Sequence, residues 1–211
     1  MSIELSAFRW VPPFARGYVR DLRVRWALEE AGLPYEVRLI DPQIQASDSY
    51  RRWQPFGQVP AYRDGRVEMF ESGAIVLHIA RQSEVLAPVD EAGRARVETW
   101  VLAALNSIEP SAQNFASLEV TYGAQAPGKE QESLDRRLEA LGAWLGQREY
   151  LEQRFSAGDL MMTTVLRELV ACGALAHYPT LDAYRLRCEA RPAFARALEG
   201  QLQPFREHPA G

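Results

Sequence analysis

Apolar and polar positions alternate crudely from Ile3 to Phe8 and then stop at Pro12-Pro13. This predicts a first strand followed by a loop, because consecutive prolines cannot sit inside a sheet ladder. From about Phe14 to Ala31 the period changes. Tyr18, Leu22 and Trp26 recur at steps of four, as do Val19, Arg23 and Ala27, and Gly32-Leu33-Pro34 closes the run, so a helix is expected. Tyr35 to Ile40 reads as a second strand. The opening is thus strand, helix, strand, the unit that makes two parallel strands with a crossover helix. Pro42 to Trp53 is polar and reads as a loop with room for one helical turn. Gln58 to Tyr62, the Asp64-Gly65 turn signal and Val67 to Phe70 read as strand, tight turn and strand. Ser72 to Arg81 follows as a helix with a strongly apolar face, which Ser72 could cap.

Beyond Leu86-Ala87-Pro88 strand signals disappear. Helical periods run from Glu91 to Ile108, Gln131 to Gln147, Asp159 to Leu175 and Leu181 to Glu189, with a further short helix after Arg191-Pro192. Thr121 to Lys129 is the most loop-like interior stretch, and Gln201 to Gly211 reads as a tail. The expected organisation is a small domain of mixed sheet and helices over 1–82, a linker over 83–90 and an all-helical domain over 91–211.

Composition narrows the function more than the fold. A chain of 211 residues with 47% hydrophobic content can bury a core without staples. Its 24 basic and 28 acidic residues leave a net charge of -4 with no long single-sign run, which argues against nucleic acid or an anionic membrane as the main partner. Cys172 and Cys188 have neither redox-motif nor metal-ligand spacing, so they are expected to be small apolar filler in a reducing compartment. The N-terminus MSIELSAF lacks the marks of a signal peptide, and no run approaches the roughly 18 apolar residues of a membrane span. A soluble, cytoplasmic protein is expected. His78 and His177 fall at no spacing that gathers ligands, so no metal is expected. Trp26, Trp100 and Trp144 read as core or interdomain packing.

The segment Gln54-Pro55-Phe56-Gly57-Gln58-Val59-Pro60, followed by Phe70-Glu71-Ser72-Gly73-Ala74-Ile75, resembles the glutathione-binding signature of the glutathione S-transferase family. Other hallmarks recur in order: Leu28-Glu29-Glu30-Ala31-Gly32-Leu33-Pro34-Tyr35-Glu36, Leu86-Ala87-Pro88, and Arg94-Ala95-Arg96-Val97 before Trp100. Phe155-Ser156-Ala157-Gly158-Asp159-Leu160 resembles the family's buried capping box, and Tyr178-Pro179-Thr180-Leu181 through Arg191-Pro192-Ala193-Phe194 its C-terminal signature. The resemblance covers nearly the whole chain and points to a bacterial member of unassigned class. It implies an α/β thioredoxin-like N-terminal domain plus an all-α C-terminal helical domain, usually as a homodimer. It also implies glutathione as co-substrate, a small hydrophobic electrophile or a peroxide as second substrate, and a role in detoxification.

Each signature element has a physical reading of its own. Val59-Pro60 at the mouth of a strand suits a cis prolyl bond, which would expose the Val59 N–H and C=O to an extended peptide. Glu71-Ser72 at a helix start offers a carboxylate, a hydroxyl and free N–H groups, able to hold the ammonium and carboxylate of a γ-glutamyl group. The resemblance assigns glutathione contacts to Gln58, Val59, Glu71 and Ser72. Ser156 and Asp159 read as a cap contributing on the order of 1 kcal/mol, not as chemistry.

The thiol activator is harder to locate. In the family it follows the first strand near the start of the first helix. Counting back from Arg23-Val24-Arg25 puts that position on Tyr18, whereas counting forward from the strand puts it on Pro12, because the loop is about six residues longer than usual. Tyr18 is the preferred catalytic residue, against the alternative that it packs on the helix beside Leu22. Arg9, Trp10 and Arg16 could also line the site. Phe115, Leu118 and Tyr122 are candidates, by position, for an apolar second-substrate wall between the domains. The competing function is a non-catalytic scaffold for protein binding, as in the stringent starvation protein A family.

Overall fold

The computed structural model describes residues 2–122 and 128–208, the side chains of 118–122 excepted. Two compact units result, one made of Met1–Leu86 with Pro192–Gly211 and the other of Ala87–Arg191. The boundary therefore departs from the sequence reading, because the C-terminal residues belong with the first unit.

In the first unit β1 (Ile3–Phe8) pairs in parallel with β2 (Tyr35–Ile40) and antiparallel with β3 (Ala61–Arg63), which pairs antiparallel with β4 (Glu68–Phe70). The sheet order is β2-β1-β3-β4. Between β1 and β2 lies α1 (Asp21–Ala31), shorter than its periodicity suggests. Pro13–Ala15 makes a single tight turn, and Gly17 at φ 82° turns the chain once more, so the regular helix begins only at Asp21. Leu22, Val24, Trp26, Ala27 and Leu28 are all buried. Pro42–Trp53, read as loop, forms two short helices, α2 (Pro42–Ala46) and α3 (Asp48–Trp53). Their caps explain why: the Asp41 carboxylate accepts from the Ile44 N–H at 2.8 Å, and the Ser47 hydroxyl from the Tyr50 N–H at 3.2 Å. The helix after β4, α4 (Ser72–Ala80), is N-capped by Glu71, so Ser72 is its first residue and not its cap.

The short helix read after Arg191-Pro192 is α10 (Pro192–Glu207), which is longer than expected and runs through Gln201–Glu207, read as part of a tail. It packs on α1, with the Phe194 ring edge-on to Trp26 at 4.8 Å. Within it Pro204 lacks the N–H that would bond the Gly200 carbonyl four residues back. Arg25 of α1 supplies the missing donor, its Nη1 lying 3.0 Å from that oxygen. Gly200 permits the approach, since a Cβ there would stand 3.4 Å from the same nitrogen. The buried Asp21 carboxylate takes Arg25 Nε at 2.7 Å and Gln201 Nε2 at 2.6 Å, and so ties the two helices together.

The second unit is helical among its described residues, from α5 (Glu91–Ala103), through a π-helical turn (Ala104–Ile108), α6 (Glu109–Tyr122), α7 (Gly128–Leu145) and α8 (Ala157–Glu168) to α9 (Pro179–Glu189). The loop read at Thr121–Lys129 lies partly outside the described residues. The Ser156–Asp159 capping box forms as read, and the Asp159 carboxylate also accepts from the Leu151 N–H and the Tyr184 hydroxyl, each at 2.8 Å. Burial pushes its pKa up while these donors pull it down. Trp26 is core, but Trp100 is only half-buried and Trp144 is 43% exposed, their rings 5.3 Å apart. Cys188 is fully buried and burial pushes its thiol up to about 12, which suits filler and not a nucleophile. Among the described residues no helix is long and apolar enough to cross a membrane, and no three His, Cys, Asp or Glu side chains gather as metal ligands.

Candidate functional site

Strand directions decide which loops meet. Since β3 runs antiparallel to β1 and to β4, the end of β1, the start of β3 and the end of β4 lie at one edge of the sheet. Ala61 is paired with Phe70, so residues 58–60 and Glu71-Ser72 emerge side by side. The loop that begins at Arg9 leaves from the same edge. Three segments separate in sequence are therefore delivered to one place.

The loop before β3 is held by a chain of hydrogen bonds. The Ala61 N–H donates to Ser6 Oγ at 2.7 Å, and the Tyr50 hydroxyl donates to the Gln58 carbonyl at 2.6 Å. With the tyrosine proton so used, the Ser6 hydroxyl donates to the Tyr50 oxygen at 2.9 Å. Burial raises the Tyr50 pKa and keeps the phenol protonated as this chain requires. One residue earlier, Gln45 Nε2 donates to the Gly57 carbonyl at 2.6 Å. Below the loop Ile40, Tyr50, Trp53, Val59 and Ala61 form an apolar cluster joined by Phe8, Val19 and Ile44. The Val59–Pro60 bond is cis. Among the described residues no hydrogen bond engages the Val59 N–H or C=O, while the Gln58 side chain is exposed. An extended backbone could pair with Val59 as a further strand would.

Across from this loop Glu71 has φ 69°, the one positive φ at a non-glycine residue among those described. A conformation of this kind costs on the order of 1–3 kcal/mol and persists only where its surroundings fix it. It turns the chain sharply from β4 into α4, leaving the Glu71 side chain exposed with no bond to its own helix end. Ser72 is buried, and Arg23 Nη1 reaches its hydroxyl at 3.3 Å. The buried Arg23 guanidinium thus lies behind the start of α4, where it adds positive charge to that of the free helix N–H groups. The sequence reading used Arg23 for the helical period and to count positions, not as a site residue. The signal was a charged residue in phase with Val19 and Ala27, which the period took in without asking what a buried charge would face.

Tyr18 lies in the turn after Gly17 and outside α1; its N–H donates to the Ala15 carbonyl, and the residue is 39% exposed. The next residue, Val19, packs on the cluster under Val59. A recess of about 540 Å³ opens at the same sheet edge, walled by Phe8, Trp10, Val11 and Ile40 and bordered by Arg9 and Gln45. None of Tyr18, Gln58, Val59, Glu71 and Ser72 lines it. Arg16 Nε lies 3.5 Å from the Val11 carbonyl, within its own loop. Of the second-substrate candidates Phe115 is half-buried in α6, while the side chains of Leu118 and Tyr122 lie outside those described.

Comparison with known proteins gives this geometry a context. Residues 20–87 match the family model described as glutathione S-transferase, N-terminal domain. A probable glutathione S-transferase of Oryza sativa subsp. japonica is 34% identical over 173 residues, 74% of this chain and 78% of that protein. Glutathione S-transferase 4 of Zea mays is 32% identical over 191 residues, 81% of this chain and 83% of the relative. The solved structure of glutathione S-transferase-I bound with lactoylglutathione superposes with TM-score 0.76 at 26% identity, covering 94% of this chain and 99% of that one. Shared identity over most of the chain, together with a sheet whose loops converge at one edge, means that this protein belongs to the glutathione S-transferase family.

Proposed function

We propose that the protein is a glutathione S-transferase that binds glutathione with Gln58, Val59, Glu71 and Ser72 and activates its thiol from the loop after β1. The observation that carries the reading is Glu71. A strained residue is held beside an unpaired strand edge, at the register where Ala61 meets Phe70. The Val59 backbone suits the peptide of the tripeptide, and Glu71 suits the γ-glutamyl ammonium. Ser72, the first N–H groups of α4 and Arg23 suit its carboxylate. The relative bound to lactoylglutathione, a glutathione derivative, supports the ligand class.

Catalysis requires thiolate. A free thiol with pKa about 8.5 is only a few per cent ionised at pH 7, and lowering that value by about two units takes roughly 2.7 kcal/mol of preferential thiolate stabilisation. The Tyr18 hydroxyl is the proposed donor; it bonds the sulfur once the proton has left to solvent. The thiolate then attacks an electrophilic carbon with expulsion of a leaving group such as chloride. With a hydroperoxide, two glutathiones are oxidised to the disulfide while the peroxide is reduced to alcohol and water. The apolar recess beside Trp10 suits an apolar second substrate. A homodimer in the cytoplasm with a role in detoxification accords with this reading.

One observation favours a second reading. Residues 9–20 contain no Ser, Thr or Cys, so a binding scaffold without turnover, like the stringent starvation protein A family, is the alternative. Calorimetry with glutathione tests the first part: a Kd between about 1 µM and 1 mM, abolished in the double variant E71A/S72A, is expected. No heat and no thermal protection by glutathione would overturn it. Turnover of a chlorinated dinitrobenzene and of cumene hydroperoxide by wild type and Tyr18→Phe tests the second part. Full activity in Tyr18→Phe refutes the role of Tyr18, and absence of turnover in wild type that binds glutathione selects the scaffold.

A further inference from the structure

Short-range hydrogen bonds shape the loop between β1 and α1. The Ala15, Arg16, Tyr18 and Leu22 N–H groups donate to the Pro12, Pro13, Ala15 and Val19 carbonyls, each three residues back. Bonds of this kind fold the loop on itself but do not place it on the rest of the unit. Val19 does so at two points. Its side chain packs on the cluster under Val59, and its carbonyl also accepts from Gln201 Nε2 of α10 at 3.0 Å, a partner 182 residues away. The same nitrogen donates to the Asp21 carboxylate at 2.6 Å, so both N–H bonds of the amide are used at this junction. Asp21 is the first residue of α1, which has no side-chain cap at Arg20. Gln201 therefore grips the chain where loop becomes helix.

The amide oxygen tells against a role in packing alone. Gln201 is 1% exposed, and its Oε1 is buried with no partner among the described residues. A buried acceptor left unpaired is costly, and a methionine would fill similar space without one. Nor do the two acceptors need Gln201 for their own satisfaction. The Val19 carbonyl keeps the Leu22 N–H at 3.0 Å, and the Asp21 carboxylate keeps Arg25 Nε at 2.7 Å. What Gln201 adds is direction, a tie from α10 to the residue after Tyr18.

We infer that Gln201 is a positioning residue for thiol activation: from α10 it fixes the Val19 carbonyl, and with it the turn that carries Tyr18, at the sheet edge where Val59 and Glu71 emerge. The inference rests on the transferase reading above, but on the loop as a whole and not on which of its groups reaches the sulfur. Gln201 does not line the recess beside Trp10, so it acts through the loop and not on a substrate there. Small displacements suffice, since a misplacement of about 1 Å can cost up to about 100-fold in rate.

The test is the ionisation of glutathione bound to the full chain, read by the ultraviolet absorbance of the thiolate against pH, with turnover of a chlorinated dinitrobenzene beside it. Gln201→Met is expected to raise the thiol pKa by about one unit, which lowers turnover about fivefold near pH 6.5 and restores it near pH 8.5. The Kd for glutathione should stay within about threefold, because Gln58, Val59, Glu71 and Ser72 stand on other loops. Arg196→Ala removes a different tie of α10 to α1, the 2.7 Å pair with Glu29, and should leave the pH profile as in wild type. A measurement on wild type needs no substitution: glutathione should slow amide hydrogen exchange around Gln201 about threefold or more, because coupling between sites is reciprocal. A Gln201→Met profile that superposes on wild type, an equal shift in Arg196→Ala, or exchange around Gln201 unchanged by glutathione would each overturn the inference while the transferase reading stands. Bound glutathione that titrates like the free thiol in wild type would overturn both.

Discussion

Tyr50→Phe isolates the contribution of one hydroxyl to the glutathione site. The substitution keeps the ring that packs at 6.0 Å from Trp53 and removes only the oxygen that accepts from Ser6 and donates to Gln58. Ser6 is fully buried, so its hydroxyl loses its acceptor where water does not reach, and leaving such a group unpaired costs about 1–3 kcal/mol. The Gln58 carbonyl belongs to an exposed residue that water can solvate, so its share is smaller. A loss of about 2 kcal/mol is expected, or about 4–8 °C in Tm for a chain of this size. Urea denaturation measures the stability, and calorimetry of the folded variant measures glutathione affinity, which should fall because the loop carrying Val59 has lost its anchor. Ser6→Ala should cost more, since the Ala61 N–H is then also orphaned. The double variant should cost less than the sum by about 1 kcal/mol, because the two hydroxyls belong to one chain. Additive effects, or a Tyr50→Phe protein within about 0.5 kcal/mol of wild type and unchanged in glutathione binding, would refute the proton assignment and its link to the site.

Further outcomes follow from other parts of the molecule. Glu71→Gly should raise stability by about 1 kcal/mol, since glycine adopts φ 69° without strain, while weakening glutathione; a destabilised variant would contradict the reading of Glu71 as strained for function. Burial raises the Asp64 pKa, but His78 Nε2 at 2.8 Å and the Arg66 and Val67 N–H groups outweigh it and hold the carboxyl down to about 2. Its contribution to stability is therefore present above the ordinary value of 3.8 and is lost as pH falls through about 2. The stability gap between wild type and Asp64→Asn in urea should close over that window, and a gap constant from pH 5 to 2 would refute the link. Asp159→Asn should cost about 3 kcal/mol or more, against about 1 for Ser156→Ala, because the amide turns a donor toward the donors that the carboxylate accepts from; equal losses in urea would reduce Asp159 to a simple cap.

The elements legible in the sequence were those whose periodicity and burial agree. Ile3–Phe8, Tyr35–Ile40 and Ser72–Ala80 fall where their apolar patterns put them. Polar segments stabilised by caps were not legible. The apolar positions Ile44, Tyr50 and Trp53 are too few to set a period for two helices, which form with Asp41 and Ser47 each satisfying a free N–H. The C-terminal helix was read as short, with a tail from Gln201, whereas it continues past Gly200 and Pro204 to Glu207. In the folded chain the same pair opens a carbonyl for Arg25, so two helix-breaking residues become the joint between α1 and α10.

The candidate site shows the same division at finer scale. Gln58, Val59, Glu71 and Ser72 stood out because their spacing is local, and the Ala61–Phe70 register then delivers both pairs to one edge. Ser6, Tyr50 and Arg23 did not, because what distinguishes them is a partner 44, 8 or 49 residues away. A serine inside IELSAF looks like an interruption of a strand until the hydrogen bond to Tyr50 is known. The loop from Arg9 to Arg20 resisted for a third reason, since Pro12, Pro13 and Gly17 fix its turns while its side chains carry no Ser, Thr or Cys to reveal a purpose. Its chemistry must then come from a phenol, an indole, guanidinium groups or the backbone. Of these, the Tyr18 hydroxyl can be removed as a single atom without altering either the turn or the charge, which is why Tyr18→Phe is the variant whose turnover tests how the thiol is activated.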